Sequence, residues 1–186
     1  KAVHDGSFNI EDRKSKISSI AKLNKNLLSF EINKTNKIEL AIYEKIGIGD
    51  GTQANNPWLQ ELPDPISRAC WDNYITISAK TAESLNLKNW NVANGALNGS
   101  LVNIKSDDIV IKNVPVMIQP GQANSTVGLS LGYGRMKSGK AANGIGINAF
   151  PLLNSNFVSL ENIEGEHKFA STQLHHTMMG RDMVKE

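Results

Sequence analysis

Hydrophobic and polar positions alternate with a period of two over much of this chain, in short stretches broken by turn-forming residues. Ile38, Leu40 and Ile42 alternate with Glu39, Ala41 and Tyr43, which predicts a half-buried strand ending at the glycine-rich stretch Gly47-Ile48-Gly49-Asp50-Gly51. Strand-like content returns at Tyr74–Ile77, Asn91-Val92, Ser100–Ile104, Ile109–Ile111, Val114–Ile118, Val127–Leu131 and Asn156–Leu160. Asn94-Gly95, Asn98-Gly99 and Asp107-Asp108 between them are good turn formers. Helical signals are few. Ser78 is placed to cap a short helix over 78–87, and Ile17, Ile20, Ala21, Leu23 and Leu27 give an amphipathic helix over about 11–28. Many short strands and frequent turns predict a mainly β fold, closed or sandwiched.

One segment breaks the pattern. Residues 55–74 hold Trp58 and Trp71, two of three tryptophans, and Pro57, Pro63 and Pro65, three of six prolines. Proline fixes φ and lacks an N–H, so an extended belt outside regular ladders is expected there. The tryptophans offer apolar area for burial, and Asn56, Gln60, Asp64, Asp72 and Asn73 offer donors and acceptors to the unpaired backbone. Such a belt either closes a core or covers a polar ligand.

Composition narrows the function. At 186 residues the chain is long enough to bury a core without staples, and because it begins at Lys1 it is expected to be a piece of a longer protein. A net charge of +2, with no basic stripe interleaved with aromatics, argues against nucleic acid as a partner. The apolar runs are too short to predict a membrane-spanning helix, and no signal-peptide pattern appears. A single cysteine, Cys70, excludes an internal disulfide, a CxxC knuckle and a self-contained iron–sulfur cluster; it reads as a small buried hydrophobe.

Gly134-Arg135-Met136-Lys137-Ser138-Gly139-Lys140 has a phosphate-loop spacing, but Ala141 stands where a magnesium-binding hydroxyl is needed, and no helix start is evident. Nucleotide hydrolysis is therefore rejected, although Gly132, Gly134 and Arg135 could approach a phosphate. The equally bland reading is a tight turn closing a barrel. His175-His176 is an adjacent pair without metal spacing to His4 or His167. Asn33, Asn98 and Asn124 head formal glycosylation sequons of the kind that arise by chance in Asn-rich chains.

The order Asn-Pro-Trp-Leu-Gln-Glu-Leu-Pro-Asp-Pro in the belt, Trp71-Asp72-Asn73, the helix at 78–87, Pro120-Gly121, Gly132-Tyr133-Gly134-Arg135 and Gly144-Ile145-Gly146-Ile147-Asn148-Ala149 resembles the C-terminal dinucleotide-binding domain of molybdopterin oxidoreductases. The resemblance is greatest to the large iron–sulfur subunit of bacterial alternative complex III. It implies a six-stranded double-psi β-barrel with a few short helices over residues 36–160, a peripheral segment at 1–35, and a tail at 161–186 leading to an iron–sulfur domain. It implies a parent oxidoreductase subunit passing electrons from quinol to a periplasmic acceptor, with other subunits of a membrane respiratory complex as partners. The implied location is peripheral, on the periplasmic side of the bacterial inner membrane, and the fragment alone is expected to be monomeric and non-catalytic. In that branch the domain is a vestigial scaffold without cofactor. The alternative is a working site for molybdopterin guanine dinucleotide, with Trp58, Gln60, Asn73, Gly132, Tyr133, Gly134, Arg135 and Asn148 as its binding residues. No residue is expected to ligate a metal.

Overall fold

The computed structural model describes residues 37–92, 96–172, 177–178 and 181–182. The chain divides into two compact units, Lys1–Lys34 and Thr35–Glu186, and the described residues all belong to the second. The predicted helix at 11–28, His4 and His175-His176 lie outside the described residues.

Ten strands are described: β1 (Ile38–Tyr43), β2 (Ala69–Cys70), β3 (Ile75–Ile77), β4 (Asn89–Asn91), β5 (Leu97–Ser106), β6 (Ile109–Ile118), β7 (Thr126–Ser130), β8 (Phe157–Ser171), β9 (Thr177–Met178) and β10 (Arg181–Asp182). Three helices of at most six residues accompany them: α1 (Pro57–Glu61), α2 (Ala79–Ser84) and α3 (Gly139–Ala142), with a 3₁₀ turn at Phe150–Leu152.

Six strands close into a barrel in the order β8-β1-β7-β3-β6-β5, the ring completed by pairing of β5 with β8. Neighbours β1 and β7 run parallel, as do β3 and β6, and the remaining contacts in the ring are antiparallel. This pattern is symmetric. The first half of the chain gives β1, β3 and β5, the second gives β6, β7 and β8, and exchanging the halves reproduces every parallel and antiparallel pairing. In each half the first two strands are separated by a strand of the other half, so the connection between them must pass over it. That is the double-psi arrangement the resemblance implies.

The wall alternates as a pleated sheet requires. Ile75, Ile77, Val102, Ile104, Val114, Val116, Val127 and Leu129 are fully buried in one cluster that fills the barrel, with Leu152 closing it. Tyr74, Met117 and Phe169 are on the opposite face of their strands and pack with Ala69 in a second cluster. A third, of Ile48, Ala54, Tyr133 and Ala142, joins the connection after β1 to the connection after β7.

Several sequence expectations need correction. Ile109–Ile111 and Val114–Ile118 are one strand, because Asn113 takes φ 58° and donates its N–H to Asn103 Oδ1 at 3.3 Å across the ladder, absorbing the irregularity as a bulge. Asn98-Gly99 is no turn but lies near the start of β5, held where Asn98 pairs with Trp90 and Lys168. Strand β8 does not stop at Leu160; eight residues of β5 pair with it between Ser159 and Phe169, with a register shift between Gly99 and Leu101, and β2 extends it to Ser171. Helix α2 does start after Ser78, whose hydroxyl accepts from Thr81 N–H at 3.2 Å, but it ends at Ser84. The belt contains a helix after all: Pro57 sits in the first turn, where a missing N–H is harmless, and Asn56 Oδ1 accepts from Trp58 N–H at 3.1 Å.

Candidate functional site

The belt and the glycine-rich segment meet at one end of the barrel. β7 ends at Ser130, Leu131 N–H bonds Tyr43 carbonyl at 2.8 Å, and Gly132 then passes against Gly51 of the other half. Their backbones are so close that a Cβ on Gly51 would lie 2.6 Å from Gly132 O. Both have positive φ, 88° and 94°, which places the two connections face to face where only glycine fits. The chain next turns at Gly134 (φ 76°) against the backbone of Asn148, where an added Cβ would collide with Asn148 N.

The eight residues named from the resemblance divide into two groups. Gly132, Tyr133, Gly134, Arg135 and Asn148 come together: all but Gly132 line a surface depression of about 490 Å³, with Met136, Lys137 and Phe150 completing it. Arg135, Lys137 and Asn148 are exposed there, while Tyr133 is buried beneath. Asn148 Oδ1 accepts from Phe150 N–H at 3.1 Å, which fixes its amide at the rim. Two cations, the Asn148 amide nitrogen and glycine backbone suit an anionic, hydrogen-bonding ligand.

Trp58, Gln60 and Asn73 do not join this depression. Trp58 is 82% exposed, so the expectation that it buries apolar area in the belt is wrong: the α1 turn set by Pro57 points it outward. Gln60 is 2% exposed and donates to Ala54 carbonyl at 2.9 Å. Asn73 is fully buried; its Nδ2 donates to the carbonyls of Ser130 and Ile147, both at 2.8 Å, and its Oδ1 accepts from Ile147 N–H at 2.7 Å. One side chain thus ties the belt to the end of β7 and to the segment 144–148. Asn55 adds a second tie, accepting from Ala141 N–H at 3.0 Å at α3, which starts at the Gly139 where no helix was expected.

Sequence reasoning missed the polar cluster behind the belt. Lys45 is only 7% exposed; its Nζ donates to Asp72 carbonyl at 2.9 Å and lies 4.3 Å and 5.3 Å from the ring centres of Tyr74 and Tyr133. Asp72 Oδ2 pairs with His167 Nε2 at 2.9 Å, and Tyr74 hydroxyl hydrogen-bonds Ser67. The alternation of β1 gave no signal of it, because Lys45 shares the face of Glu39 and Ala41, both exposed. Asp64 closes the Pro63–Arg68 loop, with Oδ1 accepting from Ile66 and Ser67 N–H at 3.0 and 2.8 Å. No group of three or more His, Cys, Asp or Glu able to hold a metal occurs among the described residues. Nor is any helix among them long and apolar enough to cross a membrane. Asn98 of the second sequon is buried, with its amide on Glu166 at 3.1 Å.

Burial lowers the Lys45 amine to about 8, partly opposed by Asp64 and Asp72. Burial pushes Tyr43 up to about 12 and carries Tyr74 and Tyr133 higher, and it raises the Cys70 thiol. The signs differ. With Lys45 depressed when folded, the unfolded chain binds more protons between pH 8 and about 10, so this residue makes unfolding harder as pH rises through that window. Cys70 and the tyrosines act oppositely at and above their unfolded pKa values. Urea unfolding of wild type and Lys45→Met from pH 7 to 10 isolates the lysine: the wild type should gain on the variant by roughly 1 kcal/mol per pH unit above pH 8. A constant difference would mean the amine is not desolvated.

No protein-family model matches this sequence, and no curated protein matches it.

Proposed function

We propose that this barrel is a cofactor-free scaffold domain of a respiratory molybdopterin-oxidoreductase-like subunit, bracing an iron–sulfur domain that carries electrons from quinol to a periplasmic acceptor. The reading starts from the resemblance in the belt and glycine segments, and the closed double-psi barrel is in accord with it. The observation that carries the scaffold part is the engagement of Asn73. The three hydrogen bonds of its amide all go to backbone groups of this chain. An amide committed in this way holds the barrel closed and is not free for a pterin tail; Gln60 gives its Nε2 to Ala54 carbonyl, but its Oε1 is buried without a partner among the described residues.

A second reading, a working molybdopterin guanine dinucleotide domain, is favoured by the depression beside Gly134. Arg135 and Lys137 there could meet a pyrophosphate, and the Asn148 amide a guanine edge. Titration with guanosine diphosphate, followed by amide NMR shifts, separates the two. The scaffold reading expects no saturable shift at Arg135 or Asn148 up to millimolar ligand. A saturable shift that disappears in Arg135→Ala would favour the dinucleotide reading instead.

A further inference from the structure

Beneath the belt lies a cavity of about 200 Å³, separate from the depression at Arg135 except that Tyr133 borders both. Its walls are mostly apolar, from Ile46, Ile48, Leu59, Leu62 and Pro63, and Lys45 is its amine. Among the described residues no carboxylate comes within ion-pair distance of Lys45 Nζ, whose one hydrogen-bond partner is the Asp72 carbonyl. A lysine so placed is unusual. Structural lysines extend their amines to water or to a carboxylate, whereas this one is buried between two tyrosine rings at an apolar cavity.

We propose that this cavity is a covalent capture site for small apolar aldehydes, with the Lys45 amine as nucleophile. The walls select an apolar body of about four to six heavy atoms by volume. Asp64 also borders the cavity and disfavours an anionic ligand, so a neutral carbonyl compound fits better than a carboxylate. The amine lone pair attacks the carbonyl carbon and forms a C–N bond. The carbinolamine then loses its oxygen as water, which carries away the two protons originally on nitrogen, leaving a neutral imine; no oxidant or reductant is consumed. The phenol of Tyr133, kept protonated by burial, supplies a proton donor at the same cavity for the departing hydroxyl. Burial also raises the share of Lys45 present as free amine near neutral pH well above that of an ordinary surface lysine.

The chain is incubated at pH 7.5 with limiting isovaleraldehyde and cyanoborohydride, and the reduced adducts are located by peptide mapping, which separates Lys45 from the α-amino group. Lys45 should be modified at least tenfold faster than any other lysine. In Leu62→Trp, which fills the half-exposed rim, the rate at Lys45 should fall at least fivefold while other lysines react as before. Lys45→Arg, which keeps the charge, should lose only this adduct. Modification spread evenly over the lysines, or a Lys45 rate unchanged in Leu62→Trp, would overturn the proposal. Both readouts use folded protein and do not depend on the Arg variant folding.

Discussion

Gly132→Ala should destabilise the barrel by about 3 kcal/mol or more. Two separate penalties meet at this position. The backbone has φ 94°, where an L-residue is strained by roughly 1 to 2 kcal/mol. The new Cβ would also lie 2.5 Å from Ile48 Cγ2, 2.8 Å from Gly49 O and 2.9 Å from Gly51 N. Two of those neighbours are backbone, so relief would require the connections of the two halves to separate. Gly121→Ala is the control. Its φ of 83° is as unusual, but nothing lies within 4 Å of an added Cβ, so only the strain of about 1 kcal/mol should appear. Urea midpoints for the two variants measure the difference. Equal losses would mean that the close passage of the two connections does not hold the fold.

Asn73→Asp should be comparably damaging, at about 3 to 4 kcal/mol, and worse than Asn73→Ala. The amide now gives two N–H bonds to the carbonyls of Ser130 and Ile147 and takes one from Ile147 N–H. Aspartate keeps the acceptor and replaces the donor with an oxygen facing two carbonyls in a fully buried site, a repulsive arrangement as well as a buried charge. Alanine removes the side chain and leaves three backbone groups to find water. Because the carboxyl of the Asp variant would be forced toward its neutral form, its loss should shrink as pH falls toward 5. Thermal unfolding of the two variants at pH 5 and 8 checks the order and the pH trend. A milder loss in Asp than in Ala at pH 8 would show that the amide donor is not what ties belt to barrel.

How much of this was legible in the sequence depended on whether the signal was local. The alternation of Ile38–Tyr43 and the aliphatic stretches at 101–104 and 114–118 reported the barrel wall directly, since period two is set within each strand. The two-residue hairpin loop at Asp107-Asp108 was equally visible, with Asp107 left-handed at φ 47°. Strand β8 was not. Beyond Leu160 its residues Glu161, Asn162, Glu164, Glu166 and Lys168 look like a polar tail, and only the ladder to β5 makes them a strand. The belt misled in another way: its tryptophans were expected to be the anchors because of their area. Asn73 and Gln60 hold it instead, because proline-interrupted backbone lacks ladder partners and needs amides more than apolar mass. Lys45 carried no local mark at all, since its burial depends on Tyr74 and Tyr133, far along the chain.

The candidate site was legible in the same uneven manner. Tyr133 to Arg135 and Asn148 were named from separate segments and the fold brings them to one depression, whereas Trp58 faces away from any core and two amides face inward. That division is what favours the proposed brace over the ligand cradle. The most direct measurement is the molybdenum and pterin content of the native protein that carries this chain, by elemental analysis and by fluorescence of the oxidised pterin. The scaffold account expects iron and sulfide with molybdenum and pterin both far below stoichiometric. Molybdenum and guanine-containing pterin at near one and two per chain would contradict it.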